Sequence, residues 1–273
     1  MTEQDLTITV TQNDLTTLLE STLPEGPGYG RREVNEQSSV SDIHGTPILA
    51  AGQPCPRRGR LMSALAENAM TVKTIVWGGL EQEPTSVNVF WGSRFGTISA
   101  TKTQEQTTTL TLRAFHTLYE QLVDAIGLGP RAAHTNTAEL RVKQRLLDNI
   151  TPDAEAAKRR AALDELVQLT AQPMPEISSL LAAGHVRFVA FSIKRFSLEG
   201  KVEQDLFWLD TPAGILVPTT TGGFLVRAKL AVIPPWAVWQ NIVEQLPDTQ
   251  DIALWHDLAE DTATDRVAFD PQV

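Results

Sequence analysis

The chain has 273 residues, 42% hydrophobic and 21% charged, a globular balance that excludes wholesale disorder, a collagen-like repeat and a disulfide scaffold. Its 23 Lys and Arg against 33 Asp and Glu leave a formal net charge of -10. That argues against sequence-independent nucleic-acid binding and against docking on anionic lipid, because both need a basic face.

At roughly 150 residues per domain, the length fits one large domain or two small related ones. The single cysteine, Cys55, excludes an internal disulfide and a cysteine zinc site. Arg57 and Arg58 beside it could lower its pKa, but an incidental loop cysteine is the simpler reading. The N-terminus lacks the basic and apolar regions of a secretory signal, and no stretch approaches the ~20 apolar residues of a membrane span. The expectation is a soluble, cytoplasmic protein.

Residues 6–10 alternate apolar side chains with Thr, a strand pattern. The candidate caps Thr11 to Asp14 then precede Leu15, Leu18 and Leu19 at helical spacing. Residues 24–30 are rich in Gly and Pro and end that helix, and residues 31–60 lack periodicity and read as a long, partly ordered loop. A short helix is predicted over 61–69, then strands over 71–77, 87–91, 95–101 and 107–112. Phe115, Leu118, Tyr119, Leu122, Val123 and Ile126 mark one helix face, closed by Gly127-Leu128-Gly129-Pro130.

The middle reads as helical. Leu140, Val142, Leu146 and Leu147 predict a helix over 137–150. Thr151-Pro152-Asp153 resembles a helix start, with Leu163, Leu166 and Val167 on the apolar face of the helix that follows. A short helix over 176–183 leads to Gly184. Strands are predicted over 185–193, 205–209, 215–218 and 224–233. Pro234-Pro235-Trp236 starts a helix bearing Trp239, Ile242, Val243 and Leu246, and a short helix is predicted over 252–258.

The two halves follow the same order of elements. Phe90-Trp91 matches Phe207-Trp208 at an offset of 117, and Ile98 meets Ile215 at the same offset. The predicted fold is α+β: a central, mostly antiparallel sheet built from two pseudo-twofold related βββ(β)α halves, with flanking helical bundles. Within one domain, 1–273, half one spans about 61–130, a helical insert 137–183, half two 185–247 and a tail 259–273.

Catalytic constellations are scarce. No two of His44, His116, His134, His185 and His256 lie four apart, so a helical zinc pair is absent. No Gly-x-Ser-x-Gly elbow, dinucleotide fingerprint or phosphate-binding loop occurs. Ser41-Asp42-Ile43-His44 places a nucleophile near a base, but adjacency in sequence is not triad geometry. Glu81 and Glu83 read as a solvated turn, and Lys158-Arg159-Arg160 as a solvated helix face. Trp236 and Trp239 share a helix face, as core or as a partner surface. No metal and no cofactor is expected. The enzyme alternative is a small hydrolase or transferase with Asp210, His185 and Glu83 between the two halves.

The second half resembles the EspG family, chaperones of type VII (ESX) secretion. The likeness rests on Phe207-Trp208-Leu209-Asp210-Thr211-Pro212-Ala213-Gly214, similar to the Leu-Asp-Thr hairpin common in that family, and on Ala231-Val232-Ile233-Pro234-Pro235 before the last amphipathic helix. The strand and helix near the N-terminus, and Leu49-Ala50-Ala51-Gly52 ahead of a short helix, fit as well. Many family members carry an arginine where this chain has Ile215. The resemblance implies a quasi-twofold sheet flanked by helical bundles and no catalysis. It implies a cytoplasmic chaperone that binds a helical secreted protein or heterodimer (PPE-like or WXG-type) and keeps it soluble. Binding would use the loop 78–86 and the helices of 137–183. The residues implied are Gly78, Gly79, Leu80, Glu81, Glu83 and Pro84 in the loop, with Leu163 and Leu166 on the central helix. No nucleic acid and no membrane insertion is expected, and exposed Trp and Leu on the last helices could equally make a homodimer.

Overall fold

A computed structural model of the chain describes residues 7–22, 39–50, 53–55, 58–79, 84–102, 106–131, 139–151, 154–221 and 227–267. It opens with strand β1 (Thr7–Thr11), helix α1 (Gln12–Thr22), three short strands β2 (Val40–Ser41), β3 (Pro47–Ala50) and β4 (Gln53–Pro54), and helix α2 (Gly59–Ala66). Four long strands follow, β5 (Met70–Gly78), β6 (Ser86–Ser93), β7 (Gly96–Lys102) and β8 (Thr107–Arg113), then helix α3 (Leu118–Ile126). Next come β9 (Glu139–Lys143), α4 (Gln144–Ile150), α5 (Ala156–Thr170) and α6 (Pro175–Ala182). The second run is β10 (Arg187–Ser197), β11 (Gly200–Thr211), β12 (Gly214–Thr221), β13 (Arg227–Ile233), α7 (Pro235–Val243) and α8 (Thr249–Val267).

The fold is α+β. Ten strands form one sheet in the order β1-β8-β7-β6-β5-β10-β11-β12-β13-β9, and every pairing is antiparallel. The order reads the same way outward from the central β5–β10 pair.

Alternation along the strands gives the sheet two faces. Val72, Val189, Phe191, Trp208 and Ile215 point to a core under α3, α7 and α8. Trp77, Phe188, Leu209 and Leu216 point the other way, to a core under α4, α5 and α6. On that second face, at the far end of the sheet, Trp91, Ile98 and Leu112 pack with α1 and α2. The helices therefore leave the middle of the second face uncovered, and Lys73, Val87 and Lys194 are exposed there.

The structure departs from the sequence reading in several places, β11 running over Gly200–Thr211 where a strand over 205–209 is expected. Residues 139–143 form a strand: Leu140 and Val142 share a face as alternating residues of β9, which caps the sheet edge by pairing with β13. Within 31–60, β2, β3 and β4 form a small sheet that buries Val40, Ile48 and Leu49 against α1 and α2. The central helix begins at Ala156, and the Thr151 hydroxyl instead donates to the Asp148 carbonyl at the end of α4. The last helix extends well beyond 252–258.

The β6–β7 and β11–β12 hairpins also set the register between the two runs of strands. The closing pairs Ser93–Gly96 and Thr211–Gly214 lie 118 positions apart, not 117. In both, the hydroxyl donates to the glycine carbonyl, at 3.4 and 2.8 Å. A slip of one residue reverses every side chain. Phe90 and Phe207 accordingly face opposite cores, and Trp208 is the residue that stands where Phe90 does.

Candidate functional site

Helix α3 ends in a left-handed Gly127 (φ 62), whose N–H bonds the Asp124 carbonyl while the Leu128 N–H bonds that of Val123. That double bond pattern is a Schellman cap. It sends the chain across the sheet end to Arg131. A Cβ at Gly127 would lie 2.5 Å from Arg187 Nη1, so backbone conformation and space both demand glycine.

Arg131 and Arg187 converge on Asp210, which is 3% exposed. Arg131 grips the carboxylate with two bonds, Nε to Oδ1 at 2.9 Å and Nη2 to Oδ2 at 2.6 Å. Arg187 stands directly opposite Asp210 in the β10–β11 ladder and donates to Oδ2 from Nη2. The same Arg187 group donates to the Gly127 carbonyl at 2.9 Å, and Arg131 donates to the carbonyls of Gly129 and Pro130. The hydrogen bond to Asp210 raises the Arg131 pKa above its ordinary value against the cost of burial, so its charge persists at every working pH.

Above this cluster lies a cavity of about 720 Å³. It is lined by Gly78 and Gly79 from the end of β5, by Gly184 to Arg187 between α6 and β10, and by Pro130, Arg131 and Asp210 to Pro212. Gly79 is left-handed (φ 59) and its N–H bonds the Val186 carbonyl at 2.8 Å, which ties the two glycine turns together.

Of the sequence-predicted residues, Gly78 and Gly79 line this cavity and Pro84 is exposed further along the same connection. Leu80, Glu81 and Glu83 lie outside the described residues. Leu163 and Leu166 are 5% and 0% exposed and pack with Leu147 and Ile177. Both side chains pack into the core beneath α5. For the enzyme alternative, His185 and Asp210 do share the cavity. There two guanidinium groups hold the Asp210 carboxylate.

The other candidates resolve into structural roles. Asp42 accepts the N–H groups of His44 and Thr46, at 2.9 and 2.8 Å, and so shapes a turn around His44. Arg159 is buried, while Lys158, paired with Glu155, and Arg160 stay exposed. Trp239 packs edge-on against Tyr119, whereas Trp236 is 67% exposed. Among the described residues no group of three His, Cys, Asp or Glu could hold a metal ion, and no helix is long and apolar enough to cross a membrane. Sequence reasoning missed Arg131 and Arg187. The available signal was a charge set inside each apolar strand, in Val186-Arg187-Phe188 and in Leu209-Asp210-Thr211.

No family profile matches the sequence, and no curated protein matches it. Among solved structures the chain is similar to the Mycobacterium tuberculosis type VII secretion system chaperone EspG5 in complex with a PE25–PPE41 dimer. That likeness has 13% identity, covers 88% of this chain and 97% of that one, and has a TM-score of 0.48.

Proposed function

We propose that the protein is a non-catalytic chaperone of the EspG kind. It receives a helical secretion substrate at the end of the sheet where Gly78 and Gly79 meet Gly184 to Arg187. The observation that carries this reading is the state of Asp210. The one carboxylate among the described residues lining that cavity is locked to two arginines, which suits a brace for the cavity and not a reagent. The sequence resemblance points to the loop 78–86 and the helices of 137–183. The cavity adjoins both, since Gly79 is bonded to Val186 just beyond α6. A substrate with an apolar helical tip gains by burying it against such a concave end. The substrate class is PPE-like or WXG-type, and the protein acts before export, in the cytoplasm.

The test is co-purification from cells that express a type VII system, using the intact chain and a variant whose residues 80–85 are replaced by a Gly/Ser linker. The reading expects a helical secreted protein with the intact chain and none with the variant. Equal capture by both would place the surface elsewhere, and no helical partner at all would overturn the reading.

A further inference from the structure

The two inner hairpins differ at one rung of their ladders. In an antiparallel pair, hydrogen-bonded positions recur at every second residue. From the closing pair Ser93–Gly96 the next two are Trp91–Ile98 and Val89–Ala100, and pairing of β6 with β7 reaches Val89–Ala100. From Thr211–Gly214 the next is Leu209–Leu216, and the one after would set Phe207 against Pro218. Proline has no N–H to donate, and pairing of β11 with β12 stops at Leu209–Leu216. Beyond that point β12 stays with β13 as far as Thr221–Arg227, while β11 stays with β10 as far as Ser197–Gly200.

A slot of about 520 Å³ opens between the parted strands. Residues 204–208 of β11 form one wall, with Val217 and Pro218 opposite. Leu147 and Asp148 of α4 close it on one face of the sheet, and Val238 and Asn241 of α7 on the other. The Ser197–Gly200 closing pair sets which β11 residues bond to β10: the even-numbered ones. Asp205 and Phe207 therefore turn their backbone N–H and C=O groups into the slot, and Glu203, beyond its lining, turns its own the same way. Among the described residues their one recorded bond is a long 3.4 Å contact from Gln204 Nε2 to the Asp205 carbonyl. Gln144, also in the lining, donates from Nε2 to Asp148 at 2.9 Å.

We propose that this slot is a β-addition site for a short, extended, cationic segment of a partner polypeptide. Donors and acceptors at strand spacing select a peptide backbone. The slot sits within a sheet whose strands are ~4.8 Å apart, and α4 and α7 flank it on both faces. An added strand would lie ~4.8 Å from β11 and bond its inward-turned backbone groups, whereas a helix has spent its own N–H and C=O groups internally. The charge follows from Asp148 and Asp205 in a lining that contains no Lys or Arg among the described residues. A second copy of this chain, with a net charge of -10, is the wrong electrostatic partner for that rim. The site is separate from the cavity above Asp210 and does not depend on its function.

The test uses a fluorescein-labelled seven-residue peptide of alternating lysine and valine, titrated by anisotropy against the full chain. Pro218→Ala restores the N–H that Ala100 supplies in the other hairpin, so that variant keeps its fold and closes the ladder. The expected results are saturable binding by the native chain and binding weaker by about tenfold or more in Pro218→Ala, the equivalent of one or two lost hydrogen bonds. Slowed amide exchange at 203, 205 and 207 should accompany binding. Equal binding by Pro218→Ala overturns the proposal, as does equal binding of the same peptide with alternate amides N-methylated, or no binding at millimolar peptide. Binding by a glutamate–valine peptide as strong as by the lysine one overturns the cationic assignment.

Discussion

Arg187 and Arg195 stand on one face of β10, and each closes the C-terminal end of a helix packed on that face. Arg187 donates to the Gly127 carbonyl after α3 at 2.9 Å, and Arg195 Nε donates to the Gln245 carbonyl after α7 at 2.8 Å. Each also holds a carboxylate, Asp210 and Asp251 respectively. Helix C-termini carry partial negative charge, so both cations are favoured there before the acids contribute. The two arginines thus pin α3 and α7 to the central strand from opposite ends of the sheet.

Removing either acid leaves a confined guanidinium without its counter-charge. Breaking an enclosed pair costs ~3–5 kcal/mol. Asp251→Asn should cost about that, because Arg195 and Asp251 are only 13% and 8% exposed. Asp210→Asn should cost at least as much, because it strands two guanidinium groups and the Arg131 pair is equally enclosed, at 15% and 2% exposed. Urea unfolding of the two variants checks both the magnitudes and their order.

Gly127→Ala meets two penalties. A left-handed alanine costs ~1–2 kcal/mol, and its Cβ would displace the Arg187 guanidinium from Asp210. The loss in stability should therefore exceed that of Gly129→Ala, whose Cβ would meet Arg131 Nη1 only at 3.5 Å. Thermal unfolding of the two variants side by side makes the comparison.

The edge strand β9 carries a pH response. Lys229 holds the Glu139 carboxyl below its ordinary value, first by a hydrogen bond of 2.7 Å and then by its charge. A depressed carboxylate contributes stability above its unfolded pKa and loses it as pH falls through the folded value. Amide protection in β9 should hold from neutral pH down to the ordinary carboxylate range and decline below it. In Lys229→Ala that decline should be missing, and exchange measured at several pH values will show it.

Much of the fold was legible because it is written in local periodicity. The eight long strands and the faces of α3 and α7 follow from alternation and from i, i+3, i+4 spacing. What failed depended on distant partners. Leu140 and Val142 satisfy a helical pattern with Leu146 and Leu147, and only pairing to β13 makes 139–143 a strand. The offset of 117 followed a shared Phe-Trp dipeptide, whereas the hairpin closures set 118 and place Phe90 and Phe207 on opposite faces. The candidate site was half legible. The glycines at 78 and 79 were visible as a strand end. The brace beneath them was not, because Arg131 and Asp210 lie 79 positions apart.

Leu166 and Pro84 separate core from surface. Leu166→Ala should lower stability by ~2–5 kcal/mol, as for a fully buried leucine. Pro84→Ala, at an exposed position, should leave stability unchanged. Denaturant midpoints of the two variants distinguish the roles.

The most direct measurement places a photo-crosslinking side chain at position 84, and at exposed position 198 on the β10–β11 turn as a control, in cells that express a type VII system. The account predicts one helical secreted protein crosslinked from position 84 and not from 198, with the adduct mapping to the substrate's helical tip. A helical partner crosslinked from 198 alone, or none from either position, would contradict it.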